Sequence, residues 1–301
     1  MVARLYRGVP APFGRLSGQA AERATRRSRL KDIQVVGYAA QAMAIVTLTT
    51  DFGSADVYTA AMKGVILSMA PGTVLVDITH EIPARDIVAG ALTLAQAAPF
   101  FPSGSIHVAV VDPGVGGPRA DVIVEAAGST FIGPDNGLLT LAARKPRRAF
   151  RIENRSFRRE PVSPTFHGRD VLAQAAGCLV RGLPACEAGP PLTGMAELPI
   201  STSGALQGEG QGEVIHVDRF GNLITSFEGS QPPTGTWELE MEWQDRRLAV
   251  VAGRTYSDVT PGGLVLYPGS SGQIELAVRD GSAAEQTGAR RGTRFRLRRT
   301  G

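Results

Sequence analysis

Cysteine is nearly absent from this chain: Cys178 and Cys186 are the only two in 301 residues. Two thiols cannot build a disulfide framework or, alone, a zinc cluster, and they read as small buried hydrophobes in a reducing cell. Histidine is scarce at four, and no H-x-x-x-H or C-x-x-C spacing occurs, so the usual short metal signatures are missing. No run approaches the roughly 18 uncharged apolar residues that span a bilayer. Apolar content of 43% and charge of 20% are ordinary for a globular protein. The length suffices for two domains.

An excess of acid is also lacking, but the basicity is local. Residues 1–43 carry seven arginines and Lys31 against Glu22 and Asp32, a net of +6, whereas the whole chain is +4. Residues 44–301 are therefore slightly acidic, and nucleic-acid binding loses its best support. The segment 1–43 is expected to be a disordered basic extension. Thr25 to Lys31 resembles a twin-arginine export signal, and Ile33–Ala44 ends in small residues. Asp32 and the weak apolar stretch argue against export, so the expected compartment is the cytoplasm, with Met43 an alternative start.

From Ile45 the pattern alternates strand and helix. Ile45–Thr50 reads as a strand ending at Asp51-Phe52-Gly53, Asp56–Met69 as a helix stopped by Pro71-Gly72, and Thr73–Thr79 as a second strand. Helical spacing recurs in Asp86–Phe100; Ser105–Val111 is a third strand. Asp121–Ala127 and Thr130–Ile132 flank Gly128-Ser129 as a hairpin, and Gly137–Arg144 and Arg169–Val180 look helical. This predicts an α/β domain over 44–200, a mostly parallel sheet with helices on both faces. Residues 201–211 are rich in Gly and Ser and read as a linker. Six strand-like segments within 213–297, mostly without helices between them, predict an all-β, barrel-like domain over 212–301.

The segment Asp112-Pro113-Gly114-Val115-Gly116-Gly117-Pro118-Arg119 carries the strongest chemical signal. An acid at a strand's carboxyl end, followed by a glycine-rich loop, is how open α/β sheets present groups to a ligand. The same residues also describe an ordinary turn. Asp51, Asp77 and Asp135 sit at other strand ends, and a metal hydrolase using them with His80 or His167 is one reading. His107 and His216 alternate within apolar strands and read as structural. His167 precedes a helix, in Thr165-Phe166-His167-Gly168-Arg169-Asp170, where free backbone N–H groups attract ligands. Asp51-Phe52-Gly53 lacks a phosphate-binding glycine pattern, and its acid suits a ribose diol. Asp218-Arg219-Phe220-Gly221-Asn222, Gly269-Ser270-Ser271-Gly272 and Gly281-Ser282-Ala283-Ala284-Glu285 mark the second domain.

Taken in order, these segments resemble the S-adenosyl-L-methionine (SAM) hydroxide adenosyltransferases, relatives of the SAM-dependent fluorinases and chlorinases. The matching pieces are Thr49–Gly53, Asp77–His80, Asp112–Gly116, Pro134–Gly137, Phe166–Asp170, Phe220–Asn222 and Gly281–Glu285, spread over about residues 45–298. The resemblance implies an N-terminal α/β domain, a C-terminal β-barrel, and a homotrimer with sites between subunits. It implies hydrolysis of SAM to adenosine and L-methionine, with SAM as substrate and no cofactor or metal. It places the catalytic set on Asp112, Arg119 and His167. Asp51 would hold the ribose hydroxyls, and Phe220 and Asn222 the adenine. Asp218 would face the methionine ammonium and Ser270 its carboxylate. Phe166, Asp112, Glu275 and Asp280 would complete the substrate pocket.

Two rivals remain. Halide transfer is disfavoured by the acid at Asp112, which would repel a halide, and by Gly168 where a fluorinase has a serine; the short link from Ala120 to Pro134 cannot hold the fluorinases' long insertion, which excludes a fluorinase more firmly than a chlorinase-type transferase. A non-catalytic SAM or adenosine sensor has no need of a water-activating trio.

Overall fold

The computed structural model describes residues 43–144, 147–198, 200, 203–242 and 247–301. The basic extension, with its export-like motif, lies outside the described residues, as does Trp243 at the end of one expected strand.

The first domain is built on a six-stranded sheet. Its strands are β1 (Ile45–Thr50), β2 (Val74–Thr79), β3 (Ile106–Val110), β4 (Asp121–Ala126), β5 (Ser129–Pro134) and β6 (Arg147–Arg151). β2, β1, β3 and β5 run parallel, whereas β4 lies antiparallel between β5 and β6. The sheet is thus mixed, with its parallel part at the N-terminal half. Sequence reading gave no strand over residues 147–151, because Arg147, Arg148 and Arg151 hide the pattern. β6 is an edge strand, where charge is tolerated.

Side-chain alternation builds a core on each face. Val108, Val110, Ile123 and Ile132 point to one, together with helix α1 (Tyr58–Met69) and helix α3 (Ala173–Val180). Ala109, Val111, Val122, Val124 and Phe131 point to the other, under helix α2 (Ile87–Ala97). In α1 the buried residues Met62, Val65 and Ile66 follow helical spacing, and Pro71-Gly72 ends the run. The Asp86 carboxylate caps α2 by accepting from Ala89 N at 2.9 Å. Residues 137–143 form turns instead of the expected helix. Asn136 starts them by accepting from Leu138 N at 3.1 Å, and Thr140 donates back to the Gly137 carbonyl at 2.7 Å, local bonds that compete with a helix.

The second domain is a closed seven-stranded barrel. Its strands are β8 (Glu209–Val217), β9 (Leu223–Glu228), β10 (Thr236–Met241), β11 (Arg247–Ala252), β12 (Leu264–Pro268), β13 (Gln273–Val278) and β14 (Arg294–Arg299). Their order is β13-β12-β11-β10-β14-β8-β9, and a β13–β9 pairing closes the ring. The short strand β7 (Gly204–Ala205) adds outside β9, and β8 starts within the Gly/Ser-rich segment read as a linker. Between β13 and β14 lies one short helix, α4 (Ala283–Thr287), capped by Ser282. The two domains meet through Leu92, Ile215 and Ile224 and through an Arg291–Asp86 ion pair.

Among the described residues no helix is long and apolar enough to cross a membrane. His107 is fully buried, stacked on Phe131, with Nδ1 2.8 Å from Thr47 Oγ1 and, among the described residues, no partner for Nε2. Burial pushes its pKa down to about 4. A histidine that folds only when neutral contributes stability above its unfolded pKa and withdraws it as pH falls. Acidifying from pH ~6.5 toward pH ~4 is therefore expected to remove about 3 kcal/mol. Denaturant titrations should show this slope in the wild type and its loss in His107→Gln.

Candidate active site

β1 and β3 are adjacent and parallel, with Thr50 paired to Val110, so Asp51 and Asp112 emerge side by side at one sheet edge. They line a cavity of about 750 Å³ with Phe166 and His167. Phe52 and Tyr58, which sequence reading did not single out, complete an aromatic wall with Phe166, at ring-centroid distances of 5.2–6.0 Å. Arg85 also lines it. Its backbone has φ of 66°, and its N–H donates to Asp51 Oδ2 at 2.8 Å. A non-glycine residue held left-handed is a local strain of the kind that gathers at functional sites.

Asp112, Arg119 and His167 come together. Arg119 Nε lies 3.1 and 3.0 Å from the two Asp112 oxygens, and its Nη2 lies 2.5 Å from Asp112 Oδ2. Nη2 is also 3.2 Å from His167 Nδ1. A fourth member was not anticipated. Asp121 places Oδ2 2.8 Å from His167 Nδ1 and Oδ1 2.9 Å from Arg119 Nη1, the latter an ion pair without hydrogen-bond alignment. The side chains of Asp112 and Asp121 are only 5% and 6% exposed, so neither charge is balanced by bulk water. Burial alone would pull the Arg119 pKa down, but Asp112 and Asp121 outweigh it and hold it above the ordinary value.

Loop geometry makes this convergence possible. Gly116 has φ of 75°, and a Cβ there would meet the Pro164 carbonyl oxygen at 2.5 Å. The glycine-rich loop therefore lies against the segment that carries His167. From the other side, buried Asp170 accepts from Ser163 N at 2.9 Å and from Arg169 Nε and Nη2 at 2.7 Å each. Burial tends to raise the Asp170 pKa, but Arg169 and the Ser163 N–H outweigh it and keep it below the usual carboxylate value. His167 then enters a wide π-helical turn, Gly168–Leu172, that leads into α3.

The other strand-end acids are occupied elsewhere. Asp77 pairs with Lys63 at 2.6 Å and His80 at 3.0 Å, and Asp135 accepts from Ala196 N. Among the described residues no group of three or more His, Cys, Asp or Glu is placed to hold a metal.

The barrel residues do not line this cavity. Asp218 Oδ1 accepts from the N–H groups of Phe220 and Asn222, and its Oδ2 from the Asn222 side-chain amide at 2.8 Å. This turn projects Phe220 into solvent, 76% exposed. Gly221 in it packs on Ser282, where a Cβ would meet Oγ at 2.1 Å, and its carbonyl accepts from Ala284 N. The sequence segments Phe220–Asn222 and Gly281–Glu285 are thus in contact. Ser270 is exposed at a hairpin whose Gly269 sits against the Glu275 carboxylate. Burial raises the Glu275 pKa and nearby Asp218 adds to it, while Tyr267, donating at 2.6 Å, works the other way. Asp280 is exposed after β13, with φ of 56°.

The sequence profile of SAM hydroxide adenosyltransferase N-terminal domains matches residues 46–189, and that of the C-terminal domains matches residues 212–296. The chain belongs to this family. It is 42% identical to an (R)-S-adenosyl-L-methionine hydrolase of Thermus thermophilus, over 84% of this chain and 98% of that one. A hydrolase of the same name from Salinispora tropica is 38% identical, over 84% and 97%. A conserved protein of Thermotoga maritima superposes with a TM-score of 0.75 at 28% identity, covering 85% of this chain and all of the other.

For this member of the SAM hydroxide adenosyltransferase family, Gly116→Ala should cost about 2–4 kcal/mol, from a left-handed alanine and a backbone clash. Thermal unfolding will measure the loss, and adenosine titration will show whether the His167 loop has been displaced.

Proposed function

We propose that this chain hydrolyses SAM to adenosine and L-methionine by in-line attack of an activated water on the 5′ carbon. The observation that supports it most is the buried Asp112–Arg119–Asp121–His167 cluster at the wall of a cavity roomy enough for a nucleoside. Sulfonium departs as a neutral thioether, so the leaving side needs no acid. The difficulty lies with water, a weak nucleophile at neutral pH. A fixed guanidinium favours hydroxide character, and a neighbouring base takes the proton. Holding the oxygen in line with the 5′ carbon provides the rest through positioning and preorganised charge.

Asp51 has one oxygen held by Arg85 N and is placed to take the ribose diol. The aromatic wall suits a cation, and the sulfonium is one. The related hydrolases are named for the (R) epimer at sulfur, and we assign the same epimer here. Asp218, Phe220, Asn222, Ser270, Glu275 and Asp280 belong to the proposal as residues that a second subunit brings to the cavity, in a homotrimer. Exposure of Phe220 on a rigid turn supports that assembly. The proposed reaction uses no metal or cofactor, and we place it in the cytoplasm; of the two thiols expected to be buried, Cys178 is and Cys186 is exposed.

Incubation with SAM of both sulfur epimers in ¹⁸O-water should consume the (R) form, give equimolar adenosine and methionine, and put the label on the adenosine 5′ oxygen. Chloride and a chelator should change nothing. 5′-Chloroadenosine would instead indicate halide transfer, and intact SAM would leave only a binding role. Arg119→Lys keeps the charge but loses the two-pronged contact, so kcat should fall about 10²–10³-fold with adenosine affinity nearly unchanged.

A further inference from the structure

Two groups of opposite charge meet at a single nitrogen, His167 Nδ1, and it cannot satisfy both. Asp121 Oδ2 is a pure acceptor at 2.8 Å, and Arg119 Nη2 is a pure donor at 3.2 Å. A neutral imidazole offers either a proton or a lone pair at that atom. The shorter, charge-assisted contact decides between them. Arg119 Nη2 already has Asp112 Oδ2 at 2.5 Å, whereas among the described residues Asp121 Oδ2 has no donor other than His167. A lone pair facing that carboxylate at 2.8 Å would be repelled. The proton therefore sits on Nδ1.

We infer that Asp121 is a positioning residue: it holds His167 in the Nδ1–H form, so that the bare Nε2 is the group that takes the proton from the attacking water. This rests on the hydrolase reading above. His167 lines the cavity, and no described residue bonds to its Nε2. Asp112 is the other base within reach, but both its oxygens are taken by Arg119 and its side chain is almost fully buried. Protonating it would break that pair.

One O–H bond of water breaks and its proton goes to His167 Nε2. The oxygen electron pair forms the bond to the 5′ carbon while the carbon–sulfur bond breaks, and that pair returns to sulfur as neutral methionine thioether. His167 is then an imidazolium beside the Arg119 guanidinium. Asp121 touches both cations, and this contact makes the protonated state tolerable.

Asparagine at 121 is a sharp probe, because its two ends differ. Its oxygen belongs opposite Arg119 Nη1, so its NH₂ is turned toward His167 Nδ1. That donor demands a lone pair on Nδ1 and moves the ring proton to Nε2, where it blocks proton acceptance. Long-range ¹H–¹⁵N spectra of histidine-labelled, substrate-free protein will read the ring directly, with His167 assigned by its absence in His167→Gln. We expect Nδ1–H in the wild type and Nε2–H in Asp121→Asn. The variant's kcat should fall on the order of 10³–10⁴-fold, as when the orienting carboxylate of a Ser-His-Asp triad becomes an amide, with KM little changed. Nε2–H in the wild type, or an Asp121→Asn enzyme within about threefold of wild-type kcat, would overturn the inference. Should that variant fail to fold, the wild-type spectrum decides alone. A wild type that leaves SAM intact but shows Nδ1–H refutes the hydrolase reading and the base role, while upholding the Asp121–His167 pair.

Discussion

The guanidinium of Arg119 lies between two almost fully buried carboxylates, and the rest of the site takes its shape from that arrangement. Asp112 and Asp121 would each be strongly destabilising if left alone at their burial. One planar cation with donors on several edges satisfies both, which an ammonium could not do with the same geometry. The cluster holds two negative charges against one positive, leaving it one charge short of neutral when His167 is neutral. A proton arriving on the imidazole completes the balance. Under the proposed reaction, that is the state in which the base has accepted the proton from water.

Topology explains how four residues from three segments reach one point. Asp112 follows β3, a parallel strand, and so stands at the carboxyl edge of the sheet, where open α/β folds place their ligands. Asp121 begins β4, but β4 is antiparallel to β5, with Asp121 paired to Pro134 at the end of that strand. The amino end of one strand is thereby brought to the carboxyl edge of the others. The loop between them is short and glycine-rich, and Gly116 lets it lie against the backbone beside His167.

Much of this was legible in the sequence because the parallel strands announce themselves. Ile45–Thr50, a largely β-branched run, and Ile106–Val111, a largely apolar one, are each followed by an acid, and such runs are readable without tertiary context. Asp112, Arg119 and His167 could be singled out from turn chemistry and from the ordered family segments. Asp121 could not be found that way, since an acid at the start of a strand resembles any solvated end. The one available clue was the hairpin around Gly128-Ser129: a strand that returns antiparallel delivers its first residue to the same edge as Asp112. β6 was missed because its arginines mask an edge strand, and the turns after Asn136 because side-chain bonds there replace helical ones. Arg85 and Phe52, in loops, and Tyr58, at the start of α1, reach the cavity only through the tertiary arrangement, a property no local pattern encodes.

The barrel poses the converse problem, for its candidate residues are held by one another before any ligand arrives. Both oxygens of Asp218 are committed to the turn that bears Phe220 and Asn222, and that turn is braced by the start of α4. A carboxylate so occupied sets the shape of a loop at least as much as it offers charge. Rigidity of this kind matters where a large aromatic ring stands in solvent, because a preordered side chain loses less entropy when it is covered. Chemistry at the nucleophile's end and preorganisation at the barrel's end are then complementary. The sulfonium leaves unaided, so under the proposed reaction the second domain need only fix the two ends of the substrate while the buried charges act on water.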